Sequence, residues 1–590
     1  MSKSPRTPQH STPSKRRSRR QESDLPRNDP QHELIGTATN QTLAGNPLVS
    51  VRAADLAGSA GCLLKALGTS PLKAGAHFGG YLKALRAIVS GTSEIAPDPR
   101  DKRFADPAWQ SNVFLRALLQ SYLAGKEEFT RFIDATDLAP LEKSRAQFVG
   151  SLLADALAPS NSPLTNPLAL RKLLDTGGLS LARGVRQFSH DLLTNRGLPA
   201  QVDSTPFKVG ENIATAKGEV VFRNEMFELL QFAPTTPQVH ARPLVMSPPQ
   251  INKYYAIDLS PEKSLIKWIQ DSGVNLFVIS WRNPTSEHRD WGLSDYALCL
   301  DQAVDVACQV TGSPDVNMWG SCSGGITLAA YLGWLAARGE GHKVANTSWA
   351  VCVLDMPSAL GDTTLGLFTT PAALRAAKAS SRRKGVLSGQ DMARMFAWMR
   401  PNDLIWNYWV NNYLLGNKPP AFDILAWNND TTRLPAQLHA DYLDLVQANP
   451  YSNPGTLEIA GESIDMTQVK VGAYVIGGTT DHITPWQGCY RTARLFGEDA
   501  TYVLSNAGHL QSLVNPPGNP KSYFYAATAK AADPESWLQE AGERQQGSWW
   551  PHWREWIQQR SGESLPAPKK PGSRKYPPLC PAPGTYVMER

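Results

Sequence analysis

The stretch DVNMWGSCSGGITLAAYLGWLAARG, Asp315 to Gly339, decides the fold. Val316, Met318 and Trp319 read as a buried strand. The strand runs into the turn Gly320-Ser321-Cys322-Ser323-Gly324, which has the form of a G-x-S-x-G nucleophile elbow with cysteine in place of serine. The turn must be sharp, and the glycines let neighbouring backbone approach without a Cβ clash. The apolar run from Ile326 predicts a helix starting at once, whose positive N-terminal end favours a thiolate at Cys322. A sulfur nucleophile points to acyl-enzymes and to a thioester substrate.

Working outward, short β-rich runs recur on both sides of the elbow: PLVMSPPQ, VNLFVISWRNP, WAVCVLDMP, KVGAYVIGGTTD and ATYVLSNAGH. Helical stretches such as Ser294 to Gly312 separate several of them. This alternation predicts a mostly parallel sheet covered by helices. Over a hundred residues, about 358–465, break the rhythm. They read as a cap inserted at the C-terminal edge of the sheet, where α/β folds bind ligands. The fold class is α/β: an α/β-hydrolase fold with an inserted cap over 226–590, preceded by a mainly helical N-terminal domain over 35–225.

In that N-terminal region Phe114, Leu115, Leu118, Leu119 and Tyr122 make one helical stripe. It suits packing within the domain or docking on an apolar surface. Residues 1–34 are rich in Ser, Pro, Gln and Arg, and are expected to be a disordered basic tail. The first 30 residues hold eight Lys/Arg and three Asp/Glu, which accounts for most of the net charge of +6. The nearly neutral remainder gives no reason to expect nucleic-acid binding. Seven scattered cysteines in a chain of 590 residues predict reduced thiols and a cytoplasmic location. Neither a zinc pattern, nor a signal peptide, nor an apolar run of the ~20 residues a bilayer span needs is expected. The tail from 564 onward reads as Pro-rich and irregular.

A nucleophile elbow implies an acid and a histidine further along the chain, in that order. Asp481 follows the run VGAYVIGG, and His509 follows TYVLSN. His509 would remove the thiol proton, and Asp481 would hold the imidazole in the useful tautomer. The oxyanion would be met by the backbone N–H of Ser323 and by that of Ile251 or its neighbour Gln250. His482 adjoins Asp481 and reads as a supporting group rather than the base. Cys352 reads as a pocket or core residue. Trp549, Trp550, Trp553 and Trp556 form an aromatic helical face for core packing, with lipid or polymer contact as the alternative. Exchange between thioester and thiol is nearly isoenergetic, so a cysteine enzyme under a water-excluding cap favours acyl transfer over hydrolysis.

Five blocks carry a resemblance to a known family: GSCSGG, PNDLIWNYWVNNYLLGN (Pro401 to Asn417), FDILAWNNDTTRLP (Phe422 to Pro435), GTTDHITPW (Gly478 to Trp486) and SNAGHLQSLVNPPGNPKSYF (Ser505 to Phe524). The chain resembles a polyhydroxyalkanoate synthase, nearest the class II, medium-chain-length type. The resemblance implies polymerisation of (R)-3-hydroxyacyl-CoA into polyester, with CoA released as product and no cofactor or metal. It assigns Cys322 as nucleophile, His509 as base and Asp481 as third member. It also implies a homodimer, a gating cap, and association with the polyester granule and its proteins. Gln511 is expected to line the acyl pocket. The competing readings are a cysteine-dependent esterase or thioesterase of the same fold, and a non-catalytic granule-coat protein.

Overall fold

A computed structural model describes residues 53–99, 101–357, 369–392, 397 and 401–590. The basic tail expected over 1–34 lies outside the described residues. Eleven strands form the main sheet: β1 (Gly218–Arg223), β2 (Phe227–Phe232), β3 (Leu244–Ser247), β4 (Leu276–Trp281), β5 (Val316–Ser321), β6 (Val344–Ala350), β7 (Gly472–Gly478), β8 (Thr501–Ser505), β9 (Tyr523–Thr528), β10 (Gln545–Gln546) and β11 (Cys580–Pro581). Their order is β10-β9-β8-β7-β6-β5-β3-β4-β2-β1-β11. The six strands from β4 to β8, in that order across the sheet's centre, are parallel. The flanking strands pair antiparallel. The central strands are buried on both faces, as parallel strands must be. One core cluster lies on each face of the sheet.

The tryptophan-rich helix Trp550–Gln558 belongs to the core. Trp553 is fully buried, meets Trp319 edge to face at 5.2 Å, and donates from Nε1 to Ser348 Oγ at 2.9 Å. Trp553→Ala is expected to cost about 3–5 kcal/mol through the cavity and the orphaned hydroxyl. The loss should appear as an earlier urea midpoint by circular dichroism.

Helices from Ala53–Thr69 to Leu179–Thr194 make up the N-terminal region. Helical structure ends at Thr194, earlier than the 225 expected from sequence, and GEVVFR forms strand β1 with Val220 and Val221 buried. The insertion after β6 carries the helices Pro371–Lys384, Asp423–Asn429 and Ala436–Ala448, and the π-helical segments Asn402–Trp406 and Trp409–Leu414. Helix Leu179–Thr194 docks on the second π-helical segment. Tyr413 donates its hydroxyl to Asp191 Oδ2 at 2.8 Å, and Gln187 Nε2 donates to Asn412 O at 3.1 Å. Gly184 permits this contact, since a Cβ there would overlap the Tyr413 carbonyl oxygen.

The C-terminal tail is more ordered than its proline content suggests. Cys580–Pro581 pairs with β1. The buried Glu228 carboxylate then accepts the N–H groups of Thr585 and Tyr586 at 2.9 and 3.0 Å.

Candidate active site

Strand β5 ends at Ser321, and helix Ser323–Ala337 starts two residues later. Cys322, between them, has φ 48° and ψ −123°. That left-handed φ is strained for a side chain and thrusts it out at the elbow. The flanking glycines are needed for space. A Cβ on Gly320 would lie 2.6 Å from the Gly325 Cα, and one on Gly324 would overlap the Ser247 carbonyl oxygen. The helix therefore packs directly against the ends of β3 and β5.

His509 opens the short helix after β8, and Asp481 sits in the turn after β7. The parallel sheet brings both loops to the edge that carries Cys322. His509 Nδ1 donates to Asp481 Oδ2 at 2.7 Å, and the ring also hydrogen-bonds the Cys322 thiol. Asp481 is closely held. Its Oδ1 accepts the N–H groups of Ile483 and Thr484 at 2.9 and 3.0 Å, and its Oδ2 accepts the Thr484 hydroxyl at 2.6 Å. Thr484 Oγ1 also lies 3.0 Å from His509 Nδ1. Sequence reading passed over Thr484, although its place three residues after Asp481 matches a side-chain-capped turn.

Burial works against the charge on His509, but the Asp481 carboxylate and the hydrogen bonds to Asp481 and Cys322 raise its pKa to about 10. Burial also works against the Asp481 charge, and His509 and Thr484 overcome it, so the carboxyl sits below its ordinary value. The arrangement is a buried Asp481–His509 pair facing the Cys322 thiol.

A narrow cavity opens on Cys322 and His509. Its apolar wall includes Met246, Pro248, Ile257, Val351, Leu510 and Leu513. Trp427, on the inserted helix Asp423–Asn429, closes it and donates from Nε1 to Lys253 O at 2.8 Å. Lys253 also touches the cavity. Its ammonium is held by Asp430 Oδ1 at 2.9 Å and by Val587 O at 2.6 Å, so the C-terminal tail reaches this wall.

The remaining sequence candidates fall in different places. Ser323 is fully buried directly after Cys322. Ile251 is buried in the core cluster on one face of the sheet, while Pro248 and Pro249 of its loop face the cavity. Neither proline has an N–H, so Gln250 carries the first peptide donor of that loop. Cys352 is a core residue rather than a pocket residue. It lies under Gly325, its carbonyl accepts the Thr492 hydroxyl at 3.1 Å, and burial pushes its thiol well up. Gln511 is half-buried, and the helix turns Leu510 and Leu513 to the cavity instead, so the expected pocket contact of Gln511 is absent from the wall. His482 is half-buried and lies outside the cavity wall. Among the described residues, no group of three His, Cys, Asp or Glu side chains could hold a metal, and no helix is long and apolar enough to cross a membrane.

The family model described as poly-beta-hydroxybutyrate polymerase (PhaC) N-terminus matches residues 100–269, and the alpha/beta hydrolase fold matches 252–516. The chain is 49% identical over 558 residues to poly(3-hydroxyalkanoate) polymerase 1 of Ectopseudomonas oleovorans, covering 95% of this chain and 99% of that protein. It is 46% identical to polymerase 2 of the same organism, over 92% of this chain and 96% of that one. It is 38% identical to the poly(3-hydroxyalkanoate) polymerase subunit PhaC of Cupriavidus necator, over 86% of each chain. With the α/β-hydrolase sheet, its elbow and near full-length identity in agreement, the chain belongs to the poly(3-hydroxyalkanoate) polymerase family.

Proposed function

We propose that this acyltransferase polymerises medium-chain (R)-3-hydroxyacyl-CoA through an acyl group held on Cys322. His509 takes the thiol proton as sulfur attacks the thioester carbonyl, and returns it to the departing CoA thiolate. The oxyanion is met by the N–H groups of Ser323 and of Gln250 or Ile251. A 3-hydroxyl then attacks the acyl-cysteine. His509 takes the hydroxyl proton, the new ester forms, and the proton goes back to sulfur. Asp481 stabilises the imidazolium at each stage.

The observation that carries this reading is the buried Cys322–His509–Asp481 set at the mouth of a cavity walled by aliphatic side chains. Such a wall favours a long alkyl substituent over a methyl group. All three side chains belong to residues less than a tenth exposed, so thioester entry requires the helix bearing Trp427 to move. Exposed Leu72, Val89, Phe114 and Leu193 on the N-terminal helices, and Leu164 in a turn between them, support association with an apolar granule surface. A homodimer and contact with granule-associated proteins are part of the same proposal.

The test supplies 3-hydroxybutyryl-CoA and 3-hydroxydecanoyl-CoA separately, and follows free CoA and insoluble ester. The expected result is equal molar CoA and polymerised acyl units, with the C10 substrate at least about tenfold better in kcat/KM, as burial of several methylenes allows. CoA with soluble 3-hydroxy acid would instead support a thioesterase, and no CoA would support a coat protein. A preference for C4 would overturn the medium-chain assignment.

A further inference from the structure

Gln250 is held from three directions. The Tyr442 hydroxyl donates to its Oε1 at 2.9 Å, its Nε2 donates to Thr327 Oγ1 at 2.9 Å, and its backbone carbonyl accepts the Thr432 hydroxyl at 2.9 Å. Thr327 Oγ1 donates in turn to Ser323 O at 3.3 Å. The hydrogen bonds thus run in one direction, from Tyr442 through Gln250 and Thr327 to Ser323. Gln250, Ser323, Thr327, Thr432 and Tyr442 are all buried. Burial, opposing ionisation, raises the Tyr442 phenol further, so it stays a donor.

The ends of this chain belong to different parts of the fold. Tyr442 lies on the inserted helix Ala436–Ala448, and Thr432 lies just before it. Thr327 and Ser323 lie on the helix behind Cys322. Gln250 sits between them in the loop after β3. The peptides of Ser323 and Gln250 are the donor pair of the proposed oxyanion site, and a donor helps only when it is fixed before charge develops. We propose that Tyr442 is a positioning residue for the oxyanion hole, holding the Gln250 peptide in register with Ser323. The insertion then completes the catalytic site as well as covering it. This inference rests on the acyl-cysteine reading above.

Tyr442→Phe removes one hydroxyl and leaves the ring. The expected result is a kcat for CoA release lower by roughly tenfold, with KM within twofold, a smaller effect than deleting a donor outright. Alkylation of Cys322 by iodoacetamide, followed by peptide mapping, should proceed at the wild-type rate, because displacement at saturated carbon builds no oxyanion. Thr432→Val, which frees the Gln250 carbonyl, should show the same split and serves where Tyr442→Phe folds poorly. Equal slowing of CoA release and alkylation would show that Cys322 itself had been displaced, and would overturn the proposal. So would unchanged CoA release in both variants. Failure of wild-type Cys322 to take up labelled acyl group would instead remove the acyl-cysteine reading beneath it.

Discussion

Cys322→Ala is expected to release no CoA from 3-hydroxydecanoyl-CoA above background, a loss of roughly 10⁴-fold or more, because no other group can form the acyl intermediate. The two nearest thiols cannot substitute. Cys352 and Cys489 are fully buried, and burial pushes both well above the ordinary thiol range. Folding should be retained, since alanine fits the elbow and relieves nothing that the flanking glycines support. Equal thermal midpoints for the variant and the parent would establish this. CoA release at the parent rate would dismiss Cys322 as nucleophile.

His509→Gln is the second large effect, and it is paired with His482→Gln as a control. Glutamine can still hydrogen-bond Asp481, but it cannot take the thiol proton or return it to the leaving group. A fall of about 10³-fold or more in kcat is expected, and the Asp481 carboxylate keeps three donors from Ile483 and Thr484, which limits the cost to folding. His482→Gln should stay within a few-fold of the parent, because the ring hydrogen-bonded to both Asp481 and the Cys322 thiol is that of His509. The opposite ranking in a CoA-release assay would reverse the choice of base.

Much of this site could be read before any fold was known. Five of the six parallel strands coincide with short β-rich runs, because a strand buried on both faces needs a largely apolar composition; the run Trp349 to Pro357 meets β6 only at Trp349 and Ala350, since β6 is the more polar VANTSWA just before it. Asp481 and His509 stood out because each follows such a run and suits the order that an elbow imposes. The antiparallel strands at the sheet edges were not legible. Gln545–Gln546 and Cys580–Pro581 have two residues each and no pattern, and only their partners make them strands. The tail beyond 564 looked irregular for the same reason, although its N–H groups satisfy buried Glu228.

The local sequence determined the elbow, the strand–helix alternation and the order of Cys322, Asp481 and His509, because each depends on residue size, period and turn chemistry within a few positions. Only the tertiary structure decided which side chains meet across long separations: Leu510 and Leu513 rather than Gln511 at the cavity, Thr484 between Asp481 and His509, and Tyr442 against Gln250. The direction of a side chain on a helix and the partner of a buried hydroxyl are set by how distant segments pack, and no short stretch of chain encodes that packing.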